Sequence, residues 1–276
     1  TILSKKTILP FIPPDHTQSN QFQGFDHVVK GEMTRAYLKI QDGCDAFCTY
    51  CIVPYARGSS VSMPEKEVLA HVKTLGETGF KEVILTGIHT GMYGLDLPEK
   101  TTLSRLLKTI NTLRPVDRIR LSSIEPTEIS DGLIALAQPG QVLCNHFHIP
   151  LQSGDDRVLE KMKRPYTGHF FEQMIQKIHH AVPGVGIGID VLVGFPGETD
   201  QEFENTYRLI ERLPASYLHV FPFSPRKGTP AFHFSPKVDT KVIKERTARL
   251  RDLDQKMKKA FIRSQVNRPL QGLVQH

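Results

Sequence analysis

Three cysteines crowd into one short stretch, Gly43-Cys44-Asp45-Ala46-Phe47-Cys48-Thr49-Tyr50-Cys51-Ile52-Val53-Pro54-Tyr55-Ala56-Arg57-Gly58, at Cys-x3-Cys-x2-Cys spacing. The run before them, Tyr37-Leu38-Lys39-Ile40-Gln41, alternates apolar and polar residues as a strand does, so the thiols are expected on a loop leaving a strand end. Clustered thiolates are soft ligands that suit zinc or an iron-sulfur cluster, and three of them leave one metal position open to chemistry. A structural zinc site would need Cys144 or a histidine to complete it. Such sites usually pair two cysteine knuckles, and the sequence has no second knuckle. A disulfide scaffold is disfavoured as well, because no signal peptide is visible and the cysteines are not spread along the chain.

Downstream, strand and helix signals alternate. Ser62-Met63-Pro64-Glu65 has the spacing of a capping box, and Val68, Leu69, Val72 and Leu75 follow at helical intervals, which predicts an amphipathic helix from that point. Residues 81–87 read as a second strand, Leu103, Leu106, Leu107, Ile110 and Leu113 form a helical stripe ended by Pro115, and 118–122 returns as a third strand. A short helix from about Ser130, a strand over 145–149, helices near Asp155 and Phe170, a strand over 185–193, a helix after Thr199 and a strand over 217–221 complete the series. Six such units predict an α/β fold whose parallel sheet curls into an open, partial (β/α)6 barrel, with the active site at the C-terminal ends of the strands.

Those strand ends carry the polar and glycine residues that such a mouth requires. They read Leu85-Thr86-Gly87-Ile88-His89-Thr90-Gly91-Met92-Tyr93-Gly94, then Leu121-Ser122-Ser123-Ile124-Glu125-Pro126, then His148-Ile149-Pro150-Leu151-Gln152-Ser153-Gly154. The fifth strand ends Asp190-Val191-Leu192-Val193-Gly194-Phe195-Pro196-Gly197-Glu198-Thr199, and the sixth leads into Phe223-Ser224-Pro225-Arg226-Lys227-Gly228. Taken singly, the glycines serve equally well as turn residues, Glu125 as a surface carboxylate and His148 as a satisfied core histidine. Cys144, His146 and His148 share a strand face by period two, yet a lone strand cysteine is usually packing rather than a ligand.

Residues 1–33 read as an irregular linker arm, with Pro10, Pro13 and Pro14 close together and no sustained period, and the first residue is Thr1 rather than methionine. The arm is therefore expected to join a missing N-terminal domain, with the barrel over 34–236. Residues from Val238 to about Ser264 are expected to form one long charged helix, with a short tail to residue 276. The helix carries Ile243, Leu250, Leu253, Met257 and Phe261 on its apolar stripe. No segment reads as membrane-spanning. Thirty-five Lys plus Arg against twenty-nine Asp plus Glu give +6, a mild tilt toward a polyanionic partner such as RNA.

The order Cys-x3-Cys-x-aromatic-Cys, with Tyr50 as the aromatic, resembles the cluster loop of radical S-adenosylmethionine (SAM) enzymes. The following Ile-Val-Pro-Tyr-Ala-Arg-Gly, together with the strand-end segments in their order from about Thr34, resembles the methylthiotransferase branch. That resemblance implies that Cys44, Cys48 and Cys51 ligate a 4Fe-4S cluster whose fourth iron is chelated by SAM. It also implies Thr86-Gly87 at the SAM amino group, Ser123 and Glu125 at its methionyl and ribose parts, Arg164 at its carboxylate, and Val191 to Gly194 with Phe221 at its adenine. His89-Thr90-Gly91-Met92-Tyr93-Gly94 is similar to the branch acting on N6-threonylcarbamoyladenosine beside the tRNA anticodon. Other branches act on isopentenyladenosine or on a ribosomal-protein aspartate. The implied chemistry is reductive SAM cleavage, hydrogen removal at C2 of the adenine ring and methylthio insertion, in a cytoplasmic enzyme reduced by a donor such as flavodoxin or ferredoxin. The resemblance further implies that 237–276 holds the C-terminal helix and a linker to a missing RNA-binding module, and that the family's auxiliary 4Fe-4S cluster lies only in the missing N-terminal domain, so this chain is expected to cleave SAM without completing methylthiolation. A zinc-stabilised RNA-binding domain is the non-enzymatic alternative.

Overall fold

A computed structural model describes Phe22, residues 34–270, Gly272 and Leu273. Its strands are β1 (Ala36–Lys39), β2 (Gln41–Asp42), β3 (Val61–Ser62), β4 (Glu82–Thr86), β5 (Arg118–Leu121), β6 (His146–Gln152), β7 (Gly186–Val193) and β8 (Tyr217–Pro222). Its α-helices are α1 (Val53–Arg57), α2 (Glu65–Glu77), α3 (Leu103–Leu113), α4 (Asp131–Leu136), α5 (Asp156–Lys161), α6 (Gly168–Ala181), α7 (Asp200–Arg212) and α8 (Thr240–Gln265).

The six expected strands are parallel and ordered β1-β4-β5 and β6-β7-β8. Two single bridges, Ile119 with Leu143 and Ser123 with His148, link the halves. No pairing closes β8 onto β1 among the described residues, so the barrel is open, as the sequence predicts. The antiparallel pair of β2 with β3 and the short α1 lie outside the sequence expectation, because two-residue strands and a five-residue helix carry no readable period.

Period two sorts the strand residues between two faces. Val83, Leu85, Ile119, Leu121, Phe147, Ile149, Ile187 and Ile189 are buried against the helices, where they meet Val72, Leu107, Ile110, Phe171 and Ile175. The predicted helical stripes are therefore core, and truncating a wholly buried side chain such as Ile110 to alanine would cost about 2–5 kcal/mol. Their neighbours Glu82, Arg120, His148, Asp190, His219 and Phe221 alternate with these core positions and so take the concave face. At its lower end the wholly buried Glu82 carboxylate meets Arg35 at 3.1 Å, Arg118 at 3.0 Å and Arg120 at 2.9 Å.

The capping box expected at Ser62 does not form. Ser62 belongs to β3, and its hydroxyl donates to Asp96 Oδ1 at 2.6 Å and accepts from Gly94 N at 2.9 Å, so α2 starts after Pro64 without a side-chain cap. A capping box does open α7, from Thr199 and Glu202. Helix α8 is fixed by Leu250, Leu253 and Met257, and by the buried Arg246, which reaches Glu198 at 2.6 Å and Asp200 at 2.7 Å. Asp254 of α8 also accepts the Leu218 amide of the edge strand β8 at 2.8 Å. Most of the expected arm, 1–33, lies outside the described residues. Phe22 alone is placed; it packs against the core, with Lys39 Nζ 5.3 Å from its ring centroid. No helix of the described residues is long and apolar enough to cross a membrane.

Candidate active site at the barrel mouth

The cysteine loop leaves the β1–β2 strand end and is pinned from three sides. Gln41 is wholly buried. Its amide donates to Gly43 O at 2.8 Å and Ser60 Oγ at 2.9 Å, while its Oε1 accepts the His89 amide at 2.7 Å. Gly43 has φ +72°, and a Cβ there would lie 2.0 Å from Ser59 O, so only glycine fits the step into Cys44. Farther along, Thr49 donates from its amide to Met162 O at 3.1 Å and from its hydroxyl to Lys161 O at 2.8 Å, and its carbonyl accepts from Ala231 N at 2.9 Å. These ties hold the loop against β4, the α5–α6 connection and the segment after β8.

Cys48 is buried and Cys44 and Cys51 are half-buried, none of them in a disulfide. Burial pushes the Cys51 thiol up, and the nearby Cys48 and Cys44 add to that rise, so the three sulfurs feel one another.

Two side chains reach the sulfurs, beside the Ala46 amide, which donates to Cys44 Sγ at 3.4 Å. His89 Nδ1 lies 3.3 Å from Cys44 Sγ, and its Nε2 lies 2.6 Å from Glu128 Oε1. Burial alone would lower the His89 pKa, but Cys44 and Glu128 override it and push it up to about 10. Arg164 Nη1 donates to Cys48 Sγ at 3.4 Å, its Nε donates to Tyr166 Oη at 2.9 Å, and its Nη2 pairs with Glu125. Burial holds the Glu125 carboxyl above its ordinary value despite the guanidinium beside it.

The other expected contacts divide by position. Thr86 and Gly87 sit at the end of β4, half-buried beside Gln41, and Ser123 is exposed after β5 with its carbonyl accepting from Thr90 Oγ1 at 2.7 Å. Tyr50 is half-buried against Phe195 and its neighbours, and burial raises its phenol pKa. Phe221 is 49% exposed at the end of β8. Val191, by contrast, turns its side chain into the helix-side core, and Gly194 is closed over by Ile243 of α8 while its amide donates to Glu198 at 2.9 Å. The Val191 side chain thus faces away from the open mouth, while Gly194 follows the C-terminal end of β7. Arg164 is committed to protein groups, so serving a cofactor carboxylate would require it to exchange Glu125.

Sequence reasoning missed His89 and Glu128 beside Cys44, Gln41 beneath the loop, and Asp190 and His219 on the concave face. His89 stood inside a quoted segment, but no spacing joins it to a cysteine forty-five residues away. Cys144 and His146 take no part in the mouth: Cys144 is buried near Arg118 and Arg120, and His146 Nε2 meets Tyr217 Oη at 2.9 Å.

Comparison with known proteins bears on this geometry. The family model for the Radical SAM superfamily matches residues 38–210. The chain is 44% identical over 241 residues to the threonylcarbamoyladenosine tRNA methylthiotransferase MtaB of Bacillus subtilis (strain 168), covering 87% of this chain and 53% of that protein. It is 39% identical over 223 residues to the tRNA-2-methylthio-N(6)-dimethylallyladenosine synthase of Thermoanaerobacter sp. (strain X514), covering 81% of this chain and 47% of that protein. The chain thus spans about half the length of these curated relatives. Among solved structures, the radical S-adenosylmethionine methyltransferase TsrM from Kitasatospora setae shares the fold at 18% identity with a TM-score of 0.59, covering 71% of this chain and 38% of that one.

Proposed function

The chain belongs to the radical SAM superfamily, and from that premise we propose that it is the catalytic core of a tRNA methylthiotransferase acting at C2 of N6-threonylcarbamoyladenosine. The observation that carries this reading is a loop of three free thiols fixed at the C-terminal mouth of an open parallel barrel. The 44% identity to a protein of that activity supports the choice of substrate. The 39% identity to a dimethylallyladenosine synthase keeps the isopentenyladenosine branch as the second reading.

Cys44, Cys48 and Cys51 would hold a 4Fe-4S cluster, with one iron left for the amino and carboxylate groups of SAM. When bound, that cluster supplies the electron for reductive cleavage of SAM. The remaining work falls to the chain's own residues. Arg164 and His89 direct N–H groups at the Cys48 and Cys44 sulfurs, where they offset thiolate charge, and Glu125 and Glu128 hold each donor in place. Thr86 and Gly87 would serve the SAM amino group, and Ser123 and Glu125, after the neighbouring strand, its methionyl and ribose parts. Phe221 offers an exposed ring for its adenine. Tyr50 and the apolar side chains around Phe195 keep water from the Cys48 side of the loop.

Residues 1–33 would connect to a domain carrying the auxiliary cluster, and 237–276 would lead to an RNA-binding module. The shorter span of this chain relative to its relatives supports that organisation. The electron donor would be a flavodoxin or ferredoxin, and the compartment the cytoplasm, where the tRNA substrate is found.

Anaerobic reconstitution tests the reading. The chain should bind about four irons, release 5′-deoxyadenosine from SAM under reduction, and lose both properties as Cys48→Ser. A colourless zinc protein without 5′-deoxyadenosine release would refute it. Nucleoside mass spectrometry of tRNA from cells lacking the protein separates the substrates, because either the threonylcarbamoyl or the isopentenyl methylthio nucleoside should disappear.

A further inference from the structure

The concave face carries a second polar cluster, apart from the thiol loop. His148 of β6, Asp190 of β7 and His219 of β8 bring their ligand-type atoms within 4.8 Å of one another. His148 Nε2 lies 2.6 Å from Asp190 Oδ1, and His219 Nδ1 stands 3.4 Å from the same oxygen. Sheet register builds this arrangement, with Asp190 directly opposite His219 and His148 opposite Gly188. A Cβ at Gly188 would lie 2.2 Å from the Tyr217 ring, so glycine lets that ring lie across β7. Tyr217 in turn stands edge-on to His148 at 6.0 Å and tilted to His219 at 5.2 Å between centroids.

His148 Nε2 is hydrogen-bonded to Asp190, whereas His219 Nδ1 only approaches the same oxygen. His148 Nδ1 has no hydrogen-bond partner among the described residues. An uncharged imidazole that donates to a carboxylate keeps a lone pair on its other nitrogen, so His148 can offer a further acceptor. The His219 side chain is 49% exposed and presents a flat aromatic surface. An acceptor for an N–H group beside an exposed ring matches a purine better than an anion. The same three groups would also suit a divalent ion, which makes metal content one outcome of the test.

We propose that His148, Asp190 and His219 seat the purine of the tRNA nucleotide to be modified. This rests on the tRNA reading above and adds the residues that would bind the base. His219 stacks on the purine, and Asp190 orients the His148 imidazole toward its N–H edge. Phe221, assigned to the SAM adenine, is the next ring along the strand, 6.3 Å from His219, so the seated purine would adjoin the cofactor.

Fluorescence anisotropy tests the proposal with two labelled anticodon stem-loop RNAs at one salt concentration. One carries N6-threonylcarbamoyladenosine and the other is abasic at that position. The parent chain should prefer the intact loop about five-fold or more, as expected for one stacked base. His219→Ala and Asp190→Asn should bring that preference close to one, and His219→Phe, which keeps a ring, should retain part of it. Circular dichroism of each variant checks that it folds. If the parent prefers the intact loop and the variants prefer it equally, this proposal falls and the tRNA reading stands. A parent that binds both loops alike, or neither, also overturns the proposal alone, because the tRNA reading assigns most RNA affinity to a module outside this chain. Recovery of one divalent metal per chain, lost in Asp190→Asn, would make the cluster a metal site and overturn the proposal.

Discussion

Arg164 joins Glu125 to the Cys48 sulfur: one guanidinium nitrogen lies 3.4 Å from Sγ and another pairs with the carboxylate, with only 4% of the side chain exposed. Removing the cation would leave Glu125 half-buried and unpaired. Arg164→Ala is therefore expected to destabilise the chain by about 3–5 kcal/mol in urea unfolding. Arg164→Lys should recover only part of that loss, because an ammonium cannot span Glu125, Cys48 and Tyr166 in one plane. Equal stability of all three proteins would show that the arginine is not a structural tie.

His89 makes the corresponding contact on Cys44. A donor aimed at a thiolate ligand stabilises the reduced, more negative cluster relative to the oxidised one. His89→Ala should thus retain iron yet lower the midpoint potential by an amount on the order of 50 mV, about 1 kcal/mol for one electron. Glu128→Gln should shift it less, since the imidazole remains. An EPR-monitored redox titration reads both shifts, and an unchanged potential in His89→Ala would remove the histidine from any tuning role.

The strands, their order and the position of the cysteine loop were legible because each rests on a local pattern: the apolar run Val83-Ile84-Leu85 within 81–87, the leucine stripe of α3, the close spacing of three thiols. Ser62 shows where local reading fails. Its spacing to Glu65 fits a cap, but an aspartate thirty-four residues away takes the hydroxyl. His89, Glu128, Asp190 and His219 were hidden for the same reason, since only the curl of the sheet brings them to their partners. Val191 and Gly194 were assigned from motif position, and the strand's alternation puts the Val191 side chain in the core, where only its backbone could serve a ligand.

Gly43 offers a test of how strictly the loop is held. The methyl group of Gly43→Ala would meet a backbone carbonyl, which cannot rotate away, and φ +72° adds strain of about 1 kcal/mol or more. The variant should lose stability by about 2 kcal/mol or more and reconstitute with less than half the parent's iron, because Cys44 follows directly. Full iron loading with unchanged unfolding would mean that the loop can move without cost.

Acid should weaken the lower barrel through His146. Burial, then the charge of Arg120, then His148, lower its pKa from 6.5 to about 4. Its Nδ1 is buried without a partner while Nε2 meets Tyr217, so a second ring proton would have no acceptor. The unfolded chain takes up that proton near pH 6.5 and the folded chain only near 4. The contribution is thus complete above 6.5 and is lost as pH falls toward 4, by about 3 kcal/mol at most. His146→Gln keeps a group able to meet Tyr217 but cannot titrate, so its unfolding free energy should fall less between pH 7 and pH 4.5 than the parent's. Parallel pH profiles for the two proteins would assign the acid sensitivity to another group.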